Sequence, residues 1–139
     1  MIHLFNKGTF RLHNGSWSDF KIDCDSLTDE DIDCCAYLLS KVLRKFTSIE
    51  YIPSGGYRLA EAMKPYVSVP NSIDEDNILI VDDVCTTLGS MEERRGTRIN
   101  CIGAVIFDRS GRLSNSWITP LFTLNNSRPC GREDKAQIS

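Results

Sequence analysis

The 139-residue chain has no apolar run approaching the length of a membrane span, no C-x-x-C pair and only two histidines, His3 and His13, which stand apart. The first absence excludes a helical membrane protein. The second and third exclude a clustered zinc site and a dithiol redox motif, although six cysteines are present. Most of those cysteines are expected to serve as small buried hydrophobes in a reducing compartment. There is no excess of positive charge either: the formal net charge is −3, which argues against nucleic acid as the main partner. A basic group at Arg94, Arg95 and Arg98 reads as a solvated helix end. The first residues lack the basic start and long apolar stretch of a signal peptide, so the expected location is cytoplasmic. What remains, 41% hydrophobic and 25% charged, describes one ordinary globular domain.

The informative stretch runs from Asn77 to Ser90. Ile78-Leu79-Ile80-Val81 is short, branched and bounded by polar residues, as a buried parallel strand should be. Asp82 and Asp83 follow at its carboxyl end, where open α/β sheets bind ligands. Thr86, Thr87, Gly89 and Ser90 then crowd hydroxyls and a glycine ahead of a helix-forming segment. Backbone N–H groups at such a turn can cradle a phosphate, with the hydroxyls as further donors. Two adjacent carboxylates suit two adjacent ribose hydroxyls, or Mg²⁺ through water. The combination suggests a grip for a phosphorylated five-membered sugar.

From Val81 to Ser90 the stretch resembles the phosphoribosyl-pyrophosphate (PRPP) signature of the type I phosphoribosyltransferases. That resemblance implies that Asp82 and Asp83 bind the ribose hydroxyls and act as the catalytic pair, helping to hold Mg²⁺ through water. It also implies that Cys85, Thr86, Thr87, Leu88, Gly89 and Ser90 surround the 5-phosphate.

Upstream, Phe10 to His13 and Ser16 to Cys24 alternate about Asn14-Gly15, which predicts a hairpin. The segment is similar to one near the start of orotate phosphoribosyltransferases, where it forms a hood over the base. Here His13, Asn14 and Lys21-Ile22 depart from that family, and Lys21 is carried as an acceptor-binding candidate. Thr28 and Asp31 form a capping box ahead of a helix expected to run to Lys45. Its core face is Ile32, Cys35, Ala36, Leu39, Val42, Leu43 and Phe46. A short strand, residues 49–53, leads into Ser54-Gly55-Gly56-Tyr57-Arg58, whose glycines point to a close backbone approach. In the same family this is the pyrophosphate loop, which assigns Ser54, Gly55, Gly56 and Arg58 to the leaving group.

Only fourteen residues, 64–77, join the next helix to the signature strand, with one lysine, Lys64. Orotate phosphoribosyltransferases carry a longer, lysine-rich catalytic loop there. A second buried strand over residues 98–107 precedes Asp108-Arg109, and the resemblance makes Arg109 an acceptor contact. Residues 117–122 are expected to form an edge strand because Pro120 cannot complete a central ladder. The tail from Asn125 reads as loose.

These readings predict an α/β fold: a Rossmann-like, mainly parallel sheet flanked by helices, with a small N-terminal hairpin hood over residues 1–25, in one domain over residues 1–124. The implied activity is transfer of a 5-phosphoribosyl group from PRPP to a nitrogenous base, with Mg²⁺ and release of pyrophosphate. The alternative is a PRPP- or nucleotide-binding regulator or inhibitor of a partner protein, without turnover. Relatives of this kind often form homodimers, and the sequence leaves the oligomeric state of this chain open.

Overall fold

The computed structural model describes residues 4–11, 17–69 and 76–124, with the backbone alone over 5–11 and 17–21. Its elements are β1 (Phe5–Arg11), β2 (Trp17–Ile22), α1 (Asp29–Val42), β3 (Ser48–Tyr51), α2 (Tyr57–Met63), β4 (Ile78–Cys85), α3 (Gly89–Arg95), β5 (Cys101–Asp108) and β6 (Ile118–Thr123). The strands β1 and β2 pair antiparallel from Phe5↔Ile22 to Arg11↔Trp17, with a register shift between Lys7 and Phe10. The pairing thus begins five residues before the expected Phe10. His13, Asn14 and the turn at Gly15 lie outside the described residues.

The other four strands form one parallel sheet in the order β3-β4-β5-β6. Because every strand runs the same way, their carboxyl ends share one edge. Both faces are covered. Leu39, Leu59, Met63, Leu79 and Val81 belong to a core shared with α1 and α2, and Ile80, Met91, Val105, Leu113 and Ile118 to a second core shared with α3. All eight residues of β5 are accordingly buried, the uninterrupted pattern of a strand with no wet face. Pro120 sits on β6, an edge strand paired through Val105↔Pro120, as its missing N–H requires.

The capping box of α1 forms as its sequence dictates. Thr28 Oγ1 accepts from Asp31 N at 3.0 Å, and Asp31 Oδ2 accepts from Thr28 N at 2.9 Å. The helix nevertheless stops at Val42, three residues short of the expected end, because Leu43 is already extended (φ −83°, ψ 150°). Val42 is therefore 64% exposed rather than part of the core, and Phe46, 3% exposed, reaches the interior from irregular chain. A backbone bond from Thr47 N to Asn77 O fixes that segment to the start of β4.

Candidate functional site

The acidic pair lies inside β4 rather than beyond it. Expected to end at Val81, the strand continues to Cys85 because β5 supplies a longer parallel partner, pairing Asp82↔Val105, Val84↔Phe107 and Cys85↔Asp108. Both carboxylates fold back on their own backbone. Asp82 Oδ1 accepts from Asp83 N at 2.8 Å, and Asp83 Oδ1 from Val84 N at 2.7 Å. Burial pushes the Asp82 carboxyl up to about 8, and the charge of the adjacent Asp83 adds to the push. A cation or ribose hydroxyl presented to the pair would relieve that cost.

The glycine turn meets this pair directly. Ile52 N donates to Val81 O at 3.0 Å, and Gly56 N to Ile52 O at 2.9 Å, so the turn is pinned against β4. A Cβ on Gly56 would stand 2.5 Å from Val81 O. A Cβ on Gly55 would stand 2.7 Å from both carboxylate oxygens of Asp83. The first glycine allows α2 to close on the sheet; the second allows the carboxylate to lie over the turn. The Pro53–Ser54 peptide is cis.

Gly89 behaves differently. A Cβ there would meet only Thr87 Oγ1, at 3.6 Å, an ordinary contact. The folded chain itself does not need a glycine at that position. In the same loop Cys85 Sγ, buried, donates to Thr87 O at 3.2 Å, and Gly89 N donates weakly to Thr87 Oγ1 at 3.4 Å. Thr87, Gly89 and Ser90 are exposed, with Thr86 and Leu88 partly so. Burial, then the nearby Asp108 charge, raises the Cys85 thiol to about 11, which suits a packing group rather than a nucleophile.

Two hollows flank the acidic strand end. One, about 90 Å³, is lined by Ser54, Gly55, Arg58 and Asp83 together with Cys24, Asp25 and Ile32. The other, about 400 Å³ and more open, lies between Ile52-Pro53 and Ser90, Glu93 and Arg94. The smaller would take one group of a ligand, whereas the larger is of ordinary ligand-site size. Cys24 and Asp25 carry no local signal of a site; a 3-10 turn after β2 brings them to a loop some thirty residues on.

Arg58 borders the small hollow, but much of its guanidinium is committed. It donates to Leu27 O at 2.8 Å, Cys24 O at 3.3 Å and Asp29 Oδ1 at 3.1 Å, tying α2 to the corner before α1. Arg109 follows β5 and is buried, 6% exposed, with its N–H donating to Cys85 O at 2.8 Å. Its neighbour Asp108 accepts from Ser110 N and Oγ at 2.7 and 2.6 Å. The parallel sheet thus brings Ser54 to Gly56, the acidic pair, the hydroxyl-rich loop and Arg109 to one edge. Lys21 is placed on β2 opposite Asn6, with its side chain outside the described residues.

A parallel α/β sheet with a glycine turn and an acidic pair at its carboxyl edge is the fold of the type I phosphoribosyltransferases. No protein-family model matches the chain, and no curated protein matches it by sequence. Solved structures do match. The orotate phosphoribosyltransferase of Aeropyrum pernix is similar with a TM-score of 0.66 and 22% identity, over 86% of this chain and 88% of that one. The enzyme from Mycobacterium tuberculosis, solved with inorganic phosphate, gives 0.56 and 15% over 86% and 88%. That from Francisella tularensis gives 0.54 and 14% over 86% and 80%. At these identities the likeness establishes the fold. Among the described residues, no helix is long and apolar enough to cross a membrane.

Proposed function

We propose that the chain binds PRPP with Mg²⁺ and transfers its 5-phosphoribosyl group to a nitrogenous base, releasing pyrophosphate. The observation that carries this reading is the apposition of Asp83 and Gly55, which joins the ribose grip to the pyrophosphate turn across a single van der Waals gap. The loop 85–90 would take the 5-phosphate, with Gly89 leaving room for an anion that a side chain would crowd. Asp82 and Asp83 would accept from the two ribose hydroxyls. Ser54, Gly55 and Gly56 would face the leaving pyrophosphate, and Arg58 has donors left, since three of the contacts its five N–H groups can make are taken up internally.

The donor set also fits Mg²⁺. Two partly buried carboxylates, without a third acidic or histidine partner in a metal-binding group among the described residues, suit a hard cation that keeps water and substrate oxygens in its shell. Bound there, Mg²⁺ would offset the leaving group's charge. The chain's own part is positional: it holds both phosphate ends while positive charge builds at the ribose carbon, and admits the acceptor at the edge near Arg109.

A second reading, a PRPP- or nucleotide-binding regulator without turnover, is favoured by one observation. Arg58, the cation that borders the small hollow at the glycine turn, is largely engaged internally, as above. Titration calorimetry of PRPP with Mg²⁺ into the wild type and into Asp82→Asn/Asp83→Asn, beside an assay of pyrophosphate release across a panel of free bases, separates the readings. Base-dependent release supports transfer. Binding without release supports the regulator, and no binding by the wild type removes both.

A further inference from the structure

The larger of the two hollows has no part in the reading above. Its walls come from Ile52 and Pro53, at the entrance to the glycine turn, and from Ser90, Glu93 and Arg94 on α3. The three residues of α3 stand at i, i+3 and i+4, so they share one face of the helix, and all three are exposed. The other charges on and after this helix are matched. Arg95 pairs with Glu92 at 2.8 Å, and Arg98 engages both carboxylate oxygens of Glu50, at 2.8 and 3.1 Å. The carbonyl of Arg94 accepts from Arg98 at 2.6 Å, but its guanidinium has no carboxylate partner among the described residues. An unpaired guanidinium on the wall of a hollow of about 400 Å³ is a docking point for an anion, and its planar fork of donors matches phosphate oxygens.

The smaller hollow is short of both room and positive charge. It measures about 90 Å³, Asp25 and Asp83 line it, and Arg58 spends three contacts on Cys24, Leu27 and Asp29. The connection 64–77 contributes one basic residue, Lys64, which pairs with Glu61 at 2.7 Å. Consecutive residues of one turn border the two hollows, Ser54 and Gly55 the smaller and Pro53 the larger. We propose that Arg94 is a substrate-binding residue that holds the terminal phosphate of the pyrophosphate arm in the larger hollow, while the phosphate joined to the ribose faces Ser54 and Gly55. The assignment rests on the reading of the chain as a PRPP-binding protein and adds a cation to it. Glu93, on the same face and likewise without a cationic partner among the described residues, repels the same phosphate and limits the strength of the hold.

The test is calorimetry of the full chain with three probes, each with Mg²⁺: PRPP, inorganic pyrophosphate and ribose 5-phosphate. Arg94→Gln should weaken PRPP and pyrophosphate by about tenfold to a hundredfold, the range of a charged hydrogen bond, and leave ribose 5-phosphate within about twofold. Arg94→Lys keeps the charge without the fork and should fall between wild type and Arg94→Gln. Glu93→Gln should bind pyrophosphate more tightly than the wild type. Both positions are exposed and unpaired, so thermal melts of these variants should match the wild type. Equal affinity of wild type and Arg94→Gln for pyrophosphate would overturn the proposal. So would an equal loss for all three probes, which would place Arg94 at the 5-phosphate instead. A wild type that binds ribose 5-phosphate but not pyrophosphate overturns this assignment alone and leaves the ribose grip standing; one that binds none of the three removes the grip as well.

Discussion

Replacing Asp82 by Asn should make the protein more stable at neutral and alkaline pH while abolishing its binding of PRPP. The carboxyl is partly buried beside a second carboxylate, and its pKa in the folded protein is about 8, against 3.8 when free. The folded state therefore holds this proton more tightly than the unfolded chain does. Between about pH 4 and pH 8 the native protein binds more protons, so stability falls as pH rises through that window. A tenfold difference in proton affinity is worth about 1.4 kcal/mol; with relaxation and water entry, the accumulated cost at pH 8 is on the order of 2 to 4 kcal/mol. Asn keeps the shape and an oxygen for the Asp83 N–H, and removes the ionisation. Urea unfolding of both proteins at pH 4.5, 6, 7 and 8.5 measures this. The curves should nearly coincide at the lowest pH and separate steadily above it, with the variant more stable. Two parallel curves would refute the reasoning, because the pair would then not be desolvated in the native state.

The glycines should separate by role. Gly56→Ala drives a methyl into backbone, at Val81 O, and should cost about 2 to 3 kcal/mol or prevent folding; thermal melts decide. Gly89→Ala should leave stability within about 0.5 kcal/mol and yet weaken PRPP binding at least tenfold by calorimetry, since the space beside it is where the proposed 5-phosphate would sit. Arg58→Ala should lose about 1 to 3 kcal/mol by breaking the bonds to Leu27 and Cys24. Asp29→Ala removes only a solvated partner of the same guanidinium and should leave the melting temperature nearly unchanged. Equal losses for the two would show that the carbonyl contacts contribute nothing.

The second core rests on a similar long-range clamp. Glu92 accepts from Trp117 Nε1 at 2.9 Å and pairs with Arg95 at 2.8 Å, whose guanidinium lies over the same indole, 4.6 Å from its ring centre. Together these hold α3, and so the loop before it, against the segment leading to β6. Arg98 makes a two-pronged pair with Glu50 at 2.8 and 3.1 Å. Read along the chain, Arg94, Arg95 and Arg98 form a solvated basic helix end; in space two of the three are spent on internal ties.

The amino-acid order alone determined what short-range physics can encode. Branched runs at 78–81 and 98–107 specified buried parallel strands, although the second begins only at Cys101 and leaves Ile99 98% exposed ahead of it; Thr28 and Asp31 capped α1, and Pro120 confined β6 to an edge. The acidic pair, glycine turn and hydroxyl-rich loop could be recognised because each is a local pattern with its own chemistry. The tertiary structure decided everything that depends on contacts between distant segments. The strand runs through Asp82 and Asp83 because β5 is there to pair with it. Arg58 turns towards α1 because two carbonyls some thirty residues away are placed to accept from it. Asp83 rests on Gly55, Cys24 joins the site, and Arg109 is drawn inside. No local periodicity records these outcomes, because each is settled by which surfaces meet when the sheet closes.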